Sequence, residues 1–417
     1  MRILLVNKFI FPKGGAETYT FDVGKMLEEH GHEVQYFGLE NEKNIVGNRV
    51  GSYVTNMDFS QGIKANLNAP FRIIYSREAR KKIRAVLDDF QPDVVHLNNI
   101  QYHLTPSIIL EINKWRKETK KECKIVYTTH DYQLVCPSHG MFDVNMKPCE
   151  RCLDGHYIHC FQTKCLKNSR AKSLLGTLDG YMWKYSKAYS YVDAYICCSF
   201  FLKSKLDTQK RFRDKTIGLH NFKKEMPHLD NIQKKGYVLE FGHLSRDKGT
   251  DTLLEVAKKM PNTEFVFIGY GPSADKMKDI PNVKYLGFKT GEELYRIIAE
   301  AAISVCPSEW YENCPYSVME SVLLGTPVVG SKMGGIPELI EPGKTGELFE
   351  AGNAEELMKA IKKVLQTQDV LERYTKNCSQ VKYETTESYY IKLMKIYRGE
   401  KNVEQISSQP TSYCQGL

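Results

Sequence analysis

The chain has 417 residues, 42% of them hydrophobic, and its length predicts roughly two to three folded domains. Its formal net charge of +8 is compatible with anionic nucleotides, anionic lipid or no particular partner. No apolar run approaches the length of a membrane helix, and the apolar stretch 1–6 is too short for a secretory signal, so we expect a cytoplasmic protein. Twelve cysteines in a chain of this length and without a signal argue against a disulfide scaffold.

The first forty residues alternate between strand and helix patterns. Residues 2–7 and 34–38 are predicted strands, and 18–30 is a predicted helix, which indicates a parallel sheet covered by helices. Gly14 and Gly15 follow the first strand, where such sheets bind ligands and where glycine lets the backbone approach a phosphate. The dinucleotide fingerprint G-x-G-x-x-G is absent, which argues against a dehydrogenase.

Residues 65–90 are predicted to be helical and carry a basic cluster. A solvated helix face is the favoured interpretation, and contact with anionic lipid is the alternative. The cluster consists of Arg77, Arg80, Lys81, Lys82 and Arg84.

A histidine follows the predicted strand 124–128. A lone histidine is usually a structural residue, but His130 stands beside Asp131 at the carboxyl end of a strand. This position favours a role in ligand contact.

Five cysteines lie within the thirty residues 136–165, which we interpret as an insertion. Cys149 and Cys152 have the spacing of two zinc ligands, and Cys136 with either Cys165 or Cys160 could complete a four-sulfur structural site. Reduced thiols in an ordered insertion, or disulfides, are the alternatives. A catalytic zinc is disfavoured, because it would need an open coordination position and a base nearby.

The alternating pattern continues to residue 220, pauses over the polar, lysine-rich stretch 221–236, and restarts at 237. We interpret 221–236 as a linker between two α/β domains, 1–220 and 237–382. A further helix is predicted over 383–399, and the polar tail 400–417 is expected to be disordered.

Two glutamates mark the stretch 305–335. A predicted strand ends in a polar loop that contains Glu312, Pro315 occupies a helix start, and Glu320 lies on the helix. Helix-start amides and nearby carboxylates suit a phosphorylated sugar, since amides bind phosphate and carboxylates bind hydroxyls. An ordinary strand–loop–helix unit with solvated acids is the alternative.

Together these features resemble the retaining glycosyltransferases of family 4, over residues 1–398. The resemblance implies an α/β, GT-B fold: two Rossmann-like domains facing each other across a cleft, with the last helix packing back on the first domain. The cysteine segment looks like an insertion found in a subset of the family. Four features carry the resemblance, namely Gly14-Gly15-Ala16-Glu17, Thr128-Thr129-His130-Asp131, the loop 242–249, and Glu312 and Glu320 separated by seven residues.

The resemblance also implies roles for individual residues. Glu312 would bind donor-sugar hydroxyls, Glu320 the ribose, and Lys248 the diphosphate, while His130 would lie near the reacting face of the sugar. Where the family has arginine this chain has His243, and Arg246 could supply the missing charge. Further donor contacts would come from Gly14, Gly15, Cys314, which replaces a glycine, and the helix start at Pro315, Tyr316 and Ser317.

The sequence therefore predicts transfer of a sugar from a UDP- or GDP-sugar to a glycan or lipid-linked acceptor, with retention, in surface polysaccharide or glycoconjugate biosynthesis. No cofactor is expected for catalysis, and the cysteine segment is a candidate for a structural zinc. Peripheral contact with the inner face of an anionic membrane is also predicted. A sugar-nucleotide epimerase or hydrolase is the alternative, and a zinc-dependent nucleic-acid-binding protein is disfavoured because it leaves the glycine loops and paired glutamates unexplained.

Overall fold

A computed structural model describes residues 1–56 and 69–400. The start of the predicted basic helical region, 65–68, and the tail 401–417, predicted to be disordered, lie outside the described residues. The described chain forms two compact units. We call them the N-terminal unit (1–56, 69–198, 202–219 and 387–400) and the C-terminal unit (199–201 and 220–386).

The N-terminal unit contains a parallel sheet of six strands. Its strands run β1 (Arg2–Val6), β2 (Glu33–Phe37), β3 (Val94–Leu97), β4 (Lys124–Thr129), β5 (Ala194–Cys197) and β6 (Thr216–Gly218). Their spatial order is β2-β1-β3-β4-β5-β6. The chain turns from β1 to β2 on one side and crosses to β3 on the other. Loops leaving β1 and β3 therefore diverge, which opens a crevice at the carboxyl ends of these strands.

Helices of this part of the chain precede or follow the strands in the expected alternation. They are α1 (Gly15–Glu29), α2 (Ala69–Ile74), α3 (Arg77–Phe90), α4 (Ser107–Thr119), α5 (Ile158–Thr163), α6 (Arg170–Tyr185), α7 (Phe200–Asp207) and α8 (Lys210–Arg213). Local chemistry sets some starts: Ser76 accepts a hydrogen bond from Ala79 N, and Ser169 one from Lys172 N. Such side-chain caps satisfy amides that lack a partner within the helix.

The C-terminal unit contains a second parallel sheet of six strands. They run β7 (Val238–His243), β8 (Phe265–Tyr270), β9 (Val283–Tyr285), β10 (Ile303–Cys306), β11 (Val328–Ser331) and β12 (Gly346–Phe349). The spatial order is β12-β11-β10-β7-β8-β9, so the chain reverses direction across the sheet between β7 and β10. The predicted linker 221–236 belongs to this unit and leads into β7.

Seven helices complete the described chain. They are α9 (Thr250–Lys259), α10 (Gly291–Glu300), α11 (Tyr316–Leu323), α12 (Ile336–Leu339), α13 (Ala354–Leu365), α14 (Gln368–Cys378) and α15 (Thr386–Arg398). Within the two described ranges, no helix has the length and apolar composition needed to cross a membrane. The two sheets with their helices are two Rossmann-like units, as the resemblance implies.

Helix α15 packs in the N-terminal unit through buried tyrosines. The hydroxyl of Tyr389 lies 2.7 Å from that of Tyr19 on α1, and the hydroxyl of Tyr397 lies 2.7 Å from Nδ1 of His96 on β3. Nε2 of the same histidine is 2.7 Å from Oγ1 of Thr128 on β4. These bonds satisfy polar groups that burial would otherwise leave unpaired, and they fasten the last helix to the centre of the first sheet.

Candidate active site

The loop after β7 brings a lysine toward the carboxyl end of the second sheet. Gly249 ends a short 3₁₀ turn, 246–248, with φ of 77°. A Cβ at this position would lie 1.9 Å from the carbonyl oxygen of Pro307, so only glycine lets the turn approach the loop after β10. Because β7 and β10 are neighbours at the reversal point of the sheet, these two loops meet there.

Lys248 and Glu312 form an ion pair at this meeting point. The lysine Nζ lies 2.6 Å from Oε1 of Glu312, and Ser308 Oγ donates to the same oxygen at 3.1 Å. Burial, the largest influence, lowers the pKa of Lys248, but attraction to and hydrogen bonding with Glu312 outweigh it and raise the pKa. The site therefore holds a fixed positive charge at neutral pH, which a diphosphate could use.

Two glycines fix the backbone of the glutamate. Gly335 N donates to the carbonyl oxygen of Glu312 at 2.6 Å. A Cβ on Gly334 would lie 2.0 Å from that oxygen, and one on Gly335 would lie 1.8 Å from the carbonyl oxygen of Asn313. The glycines after β11 therefore allow a close backbone contact that holds the loop carrying Glu312.

The second glutamate is paired with a lysine that sequence reasoning placed in a linker. Lys223 Nζ lies 2.5 Å from Oε1 of Glu320, and both side chains are only 13% exposed. The same ammonium lies 5.2 Å from the centre of the Tyr316 ring. Nothing local distinguishes Lys223 from the other lysines of 221–236, so this functional candidate was missed.

Helix α11 begins at the predicted place, directly after Pro315, and no side chain caps its start. Its first amides, those of Tyr316 and Ser317, lie at the positive end of the helix. Cys314 is buried, its Sγ lies 3.7 Å from Sδ of Met319, and burial raises its pKa to about 12. The Cys314 side chain therefore packs inside the unit, and the predicted donor contact at this position stays a prediction.

The two candidates for the missing arginine both lie on the exposed surface of the loop after β7. His243 pairs in register with Tyr270, and their rings meet edge to face at 5.5 Å. Arg246 is exposed on the 3₁₀ turn. Of the three cationic candidates on this loop, only Lys248 has an ion pair within the described residues. Lys248 is therefore the best-positioned cation of the loop.

The predicted residues of the N-terminal unit lie at the carboxyl ends of β1 and β4. Gly14 precedes α1 with extended backbone, and Gly15 is the first residue of the helix. His130 follows β4, where Asn98 Oδ1 accepts a hydrogen bond from its Nε2 at 2.9 Å and the Tyr19 ring packs edge-on at 4.9 Å. Burial lowers the pKa of His130 to about 4, so its imidazole is neutral at pH 7.

A partly exposed lysine near this crevice, Lys8, was not singled out from the sequence. Burial lowers the pKa of Lys8, while the charges of Asp131 and Glu17 oppose that shift. Glu17 is itself buried and accepts a hydrogen bond from Asn7 Nδ2 at 3.0 Å. The available signal in the sequence was the position of Lys8, one residue beyond the predicted strand 2–7, since strand ends of such sheets carry function.

The cysteine segment brings two sulfurs into direct contact. Cys165 Sγ lies 2.8 Å from Cys160 Sγ, whereas Cys136 Sγ contacts Ser138 Oγ at 3.2 Å. In the ranges 1–56 and 69–400, no three cysteine, histidine or acidic side chains are arranged to hold a metal ion. The predicted ligand set of Cys136, Cys149, Cys152 and Cys165 is therefore not assembled in this structure.

The zinc site stays a prediction that metal analysis tests. The contact with the Cys160 thiol lowers the pKa of Cys165, which favours the thiolate that metal ligation needs. A structural zinc site predicts about one zinc per chain in purified protein, lost in the Cys149→Ser/Cys152→Ser variant and retained in Cys123→Ser, a buried cysteine outside the segment. Protein free of zinc, with all five thiols open to alkylation after unfolding, would rule the site out.

A buried acid beneath the lysine loop gives a pH prediction. Glu240 on β7 is 4% exposed; its Oε1 accepts from Thr250 Oγ1 at 2.7 Å, and its Oε2 has no partner within the described residues. Burial raises its pKa from 4.5 to about 8. The folded chain thus holds a proton that the unfolded chain lacks between these values, so stability falls as pH rises through this window.

Glu240→Gln removes that penalty, and we expect it to raise the free energy of unfolding at pH 8 by on the order of 3 kcal/mol. Urea unfolding at pH 5 and pH 8 measures the effect, with the exposed Glu255→Gln as the control. A difference between variant and wild type that is the same at both pH values would contradict the prediction.

Comparisons with known proteins place these features in a family. Residues 13–221 match the model of Glycosyltransferase Family 4, and residues 221–381 match that of glycosyl transferases group 1. Because the first model alone covers half of the chain, the chain belongs to this family of glycosyltransferases. It is an enzyme of the two-domain, GT-B class.

Three proteins illustrate the similarity. An uncharacterized 42.6 kDa protein in the cps region of Klebsiella pneumoniae is 24% identical over 362 residues, which is 81% of this chain and 87% of that protein. The amylovoran biosynthesis glycosyltransferase AmsK of Erwinia amylovora is 30% identical over 36% of this chain and 41% of its own length. HepE of Anabaena was solved in complex with UDP-glucose, and its alignment with this chain covers 100% of both chains with a TM-score of 0.61. The sequence identity is 16%, so this similarity shows the fold alone.

Proposed function

We propose that this glycosyltransferase moves the sugar of a UDP- or GDP-sugar to a glycan or lipid-linked acceptor with retention of anomeric configuration, in the biosynthesis of a surface polysaccharide or glycoconjugate. The Lys248–Glu312 pair is the observation that carries the proposal. It places a fixed cation beside a carboxylate at the reversal point of a parallel sheet. These are the groups that a nucleoside diphosphate and a sugar hydroxyl require.

In the proposed reaction the diphosphate gains negative charge as the bond to the sugar breaks. Lys248 neutralises this charge, and the first amides of α11 add oriented donors. Glu312 and Glu320 bind hydroxyls of the sugar and the ribose. We propose front-face transfer by the acceptor, with the neutral His130 near the reacting face of the sugar. Because Lys248 and the helix supply the positive charge, we expect activity to persist in EDTA.

The names of similar proteins support the choice of donor and pathway class. HepE was solved with UDP-glucose, AmsK is named for amylovoran biosynthesis, and the Klebsiella relative is encoded in a cps region. These names describe those proteins, and they make UDP-sugars and polysaccharide acceptors the first candidates for this one.

A panel of nucleotide sugars screened by thermal shift tests the proposal. A donor at 100 times its Kd stabilises the folded state by about 2.7 kcal/mol, which moves the melting temperature by several degrees. The stabilising donor is then incubated with candidate acceptors, and NMR of the product reports the anomeric configuration. Product formed without acceptor would favour the epimerase or hydrolase alternative. An inverted product, or no stabilising donor, would overturn the proposal.

A further inference from the structure

The histidine that follows β4 is held by an asparagine that follows the neighbouring strand. Asn98 comes directly after β3, which pairs with β4 in parallel, with Leu97 opposite Tyr127. Asn98 is 1% exposed, and its Oδ1 lies 2.9 Å from Nε2 of His130. The sheet therefore brings together two side chains that are 32 residues apart in the chain.

The orientation of the Asn98 amide is fixed from its other side. Its Nδ2 donates to the carbonyl oxygen of Val6 on β1 at 3.4 Å, and its backbone N donates to the same oxygen at 2.8 Å. Because a carbonyl oxygen only accepts, the NH2 group of the amide must face β1. The amide oxygen is therefore the atom that faces His130.

This contact fixes the tautomer of the His130 ring. A neutral imidazole carries a hydrogen on one nitrogen and a lone pair on the other. An amide oxygen accepts and does not donate, so Nε2 of His130 carries the hydrogen and Nδ1 carries the lone pair. In this form Nδ1 can accept from a hydroxyl, and it has no hydrogen to donate to a phosphate or carbonyl oxygen.

The groups around His130 leave its charge state to burial and one carboxylate. Asp131, the next residue, favours the imidazolium, but burial has the larger influence and lowers the pKa of His130 to about 4. On β3, burial lowers the pKa of His96 to about 3, so this ring is neutral as well. Tyr19 of α1 packs edge-on against His130, and burial raises the pKa of its phenol. The charge of Lys8, after β1, interacts with Asp131.

We propose that Asn98 is a positioning residue for sugar transfer, which holds His130 in the Nε2–H tautomer and presents Nδ1 as the acceptor for a substrate hydroxyl. Asn98 acts through the histidine and does not itself touch the substrate. An aspartate in its place would also accept from Nε2, but its charge would favour the imidazolium, in which both nitrogens carry a hydrogen. The inference rests on the proposed function, because it specifies how His130 takes part in that transfer.

Nuclear magnetic resonance of the full chain tests the tautomer without any nucleotide sugar. Protein labelled with ¹⁵N in its histidine rings is measured at pH 7, and the signals of His130 are assigned by their loss in His130→Gln. A long-range ¹H–¹⁵N spectrum should show a hydrogen on Nε2 and none on Nδ1. A hydrogen on Nδ1 alone, or on both nitrogens, would overturn the proposal.

Asn98→Asp tests the influence of this side chain on the charge of the ring. We expect it to raise the pKa of His130 by at least about 1, because a carboxylate within hydrogen-bond distance favours the imidazolium. Asn113→Asp is the matched control, since Asn113 is a buried asparagine on α4 of the same unit and the change in charge is equal. A pKa of His130 that rises no further in Asn98→Asp than in the control would contradict the proposal.

Steady-state kinetics connect the ring to sugar transfer. In Asn98→Asp the acid limb of the pH profile of kcat/KM should move to higher pH by as much as the pKa of His130 rises, because transfer uses the neutral ring. At pH 8 this variant should recover to within about threefold of the wild-type kcat. Asn98→Leu leaves Nε2 without its acceptor, so it should lower kcat at least about tenfold at every pH and change the donor KM less.

Melting curves check the fold of each variant, and Asn98→Asp alone decides the proposal if Asn98→Leu does not fold. The expected spectra together with a pH profile that stays in place in Asn98→Asp would overturn the positioning role. Wild-type protein that transfers no sugar would remove both the proposed function and this role, whereas a failed tautomer test in active protein would remove the role of Asn98 alone.

Discussion

Glu312→Ala is expected to lower kcat/KM for sugar transfer by about 10² to 10³. The substitution removes a carboxylate that would bind the donor sugar, and it leaves Lys248 without the partner now 2.6 Å away. The freed lysine would still attract the diphosphate but would no longer be held in one place. Steady-state kinetics with the donor identified by thermal shift measure the loss.

A matched ion pair outside the site provides the control for Glu312. Lys332 and Glu350 lie 2.7 Å apart at the surface of the same unit, and Glu350→Ala should change kcat/KM by less than about twofold. The double variant Glu312→Ala/Lys248→Ala should lose less than the product of the two single losses, because both residues act on one pair. Turnover of Glu312→Ala near the wild-type value would contradict the assignment of the site.

Glu320→Ala is expected to weaken donor binding at least about tenfold and to destabilise the C-terminal unit. Lys223 is only 13% exposed and would keep its charge without a partner. The ribose lies away from the reacting bond, so lost contact with it should appear mainly in KM, with a smaller effect on kcat. Donor titration followed by thermal shift and the KM-to-kcat comparison measure the two effects.

A conservative pair of variants separates binding from stability at Glu320. Glu320→Gln keeps the size and a hydrogen-bonding oxygen but loses the charge, and Glu320→Leu/Lys223→Met removes both charges together. The double variant should recover stability, because no unpaired charge remains, while donor binding stays weak. Recovery of donor binding along with stability would show that Glu320 supports only the fold.

The alternation of strands and helices was predictable because it depends on apolar runs that are local in the sequence. The strand predicted over residues 2–7 is observed as β1. Pro315 directly precedes α11, and the fixed φ of proline favours such a position at a helix start. Boundaries moved by a few residues: the helix predicted from 383 begins as α15 at Thr386. Helix ends depend on capping and tertiary contacts that a local pattern does not contain.

Contacts between distant residues were predicted less well. The thiol contact between Cys160 and Cys165 and the packing of the Cys314 side chain inside the unit were not specified by the sequence pattern. The polar stretch 221–236 resembles a linker by composition, yet it supplies Lys223 to the site. Composition predicts the average solvent exposure of a segment, but it does not predict which individual side chain forms a buried ion pair.

The sequence by itself predicted two α/β halves and identified Lys248, Glu312 and Glu320 as candidate site residues. Apolar periodicity and glycine or proline punctuation act over a few residues, so they can be read locally. Only the tertiary structure decided that Lys248 pairs with Glu312 and Lys223 with Glu320. The Lys248–Glu312 pair depends on β7 lying beside β10 in the sheet and on the close approach of Gly249 to Pro307. The two pairs join residues 64 and 97 positions apart, a distance over which local patterns carry no information.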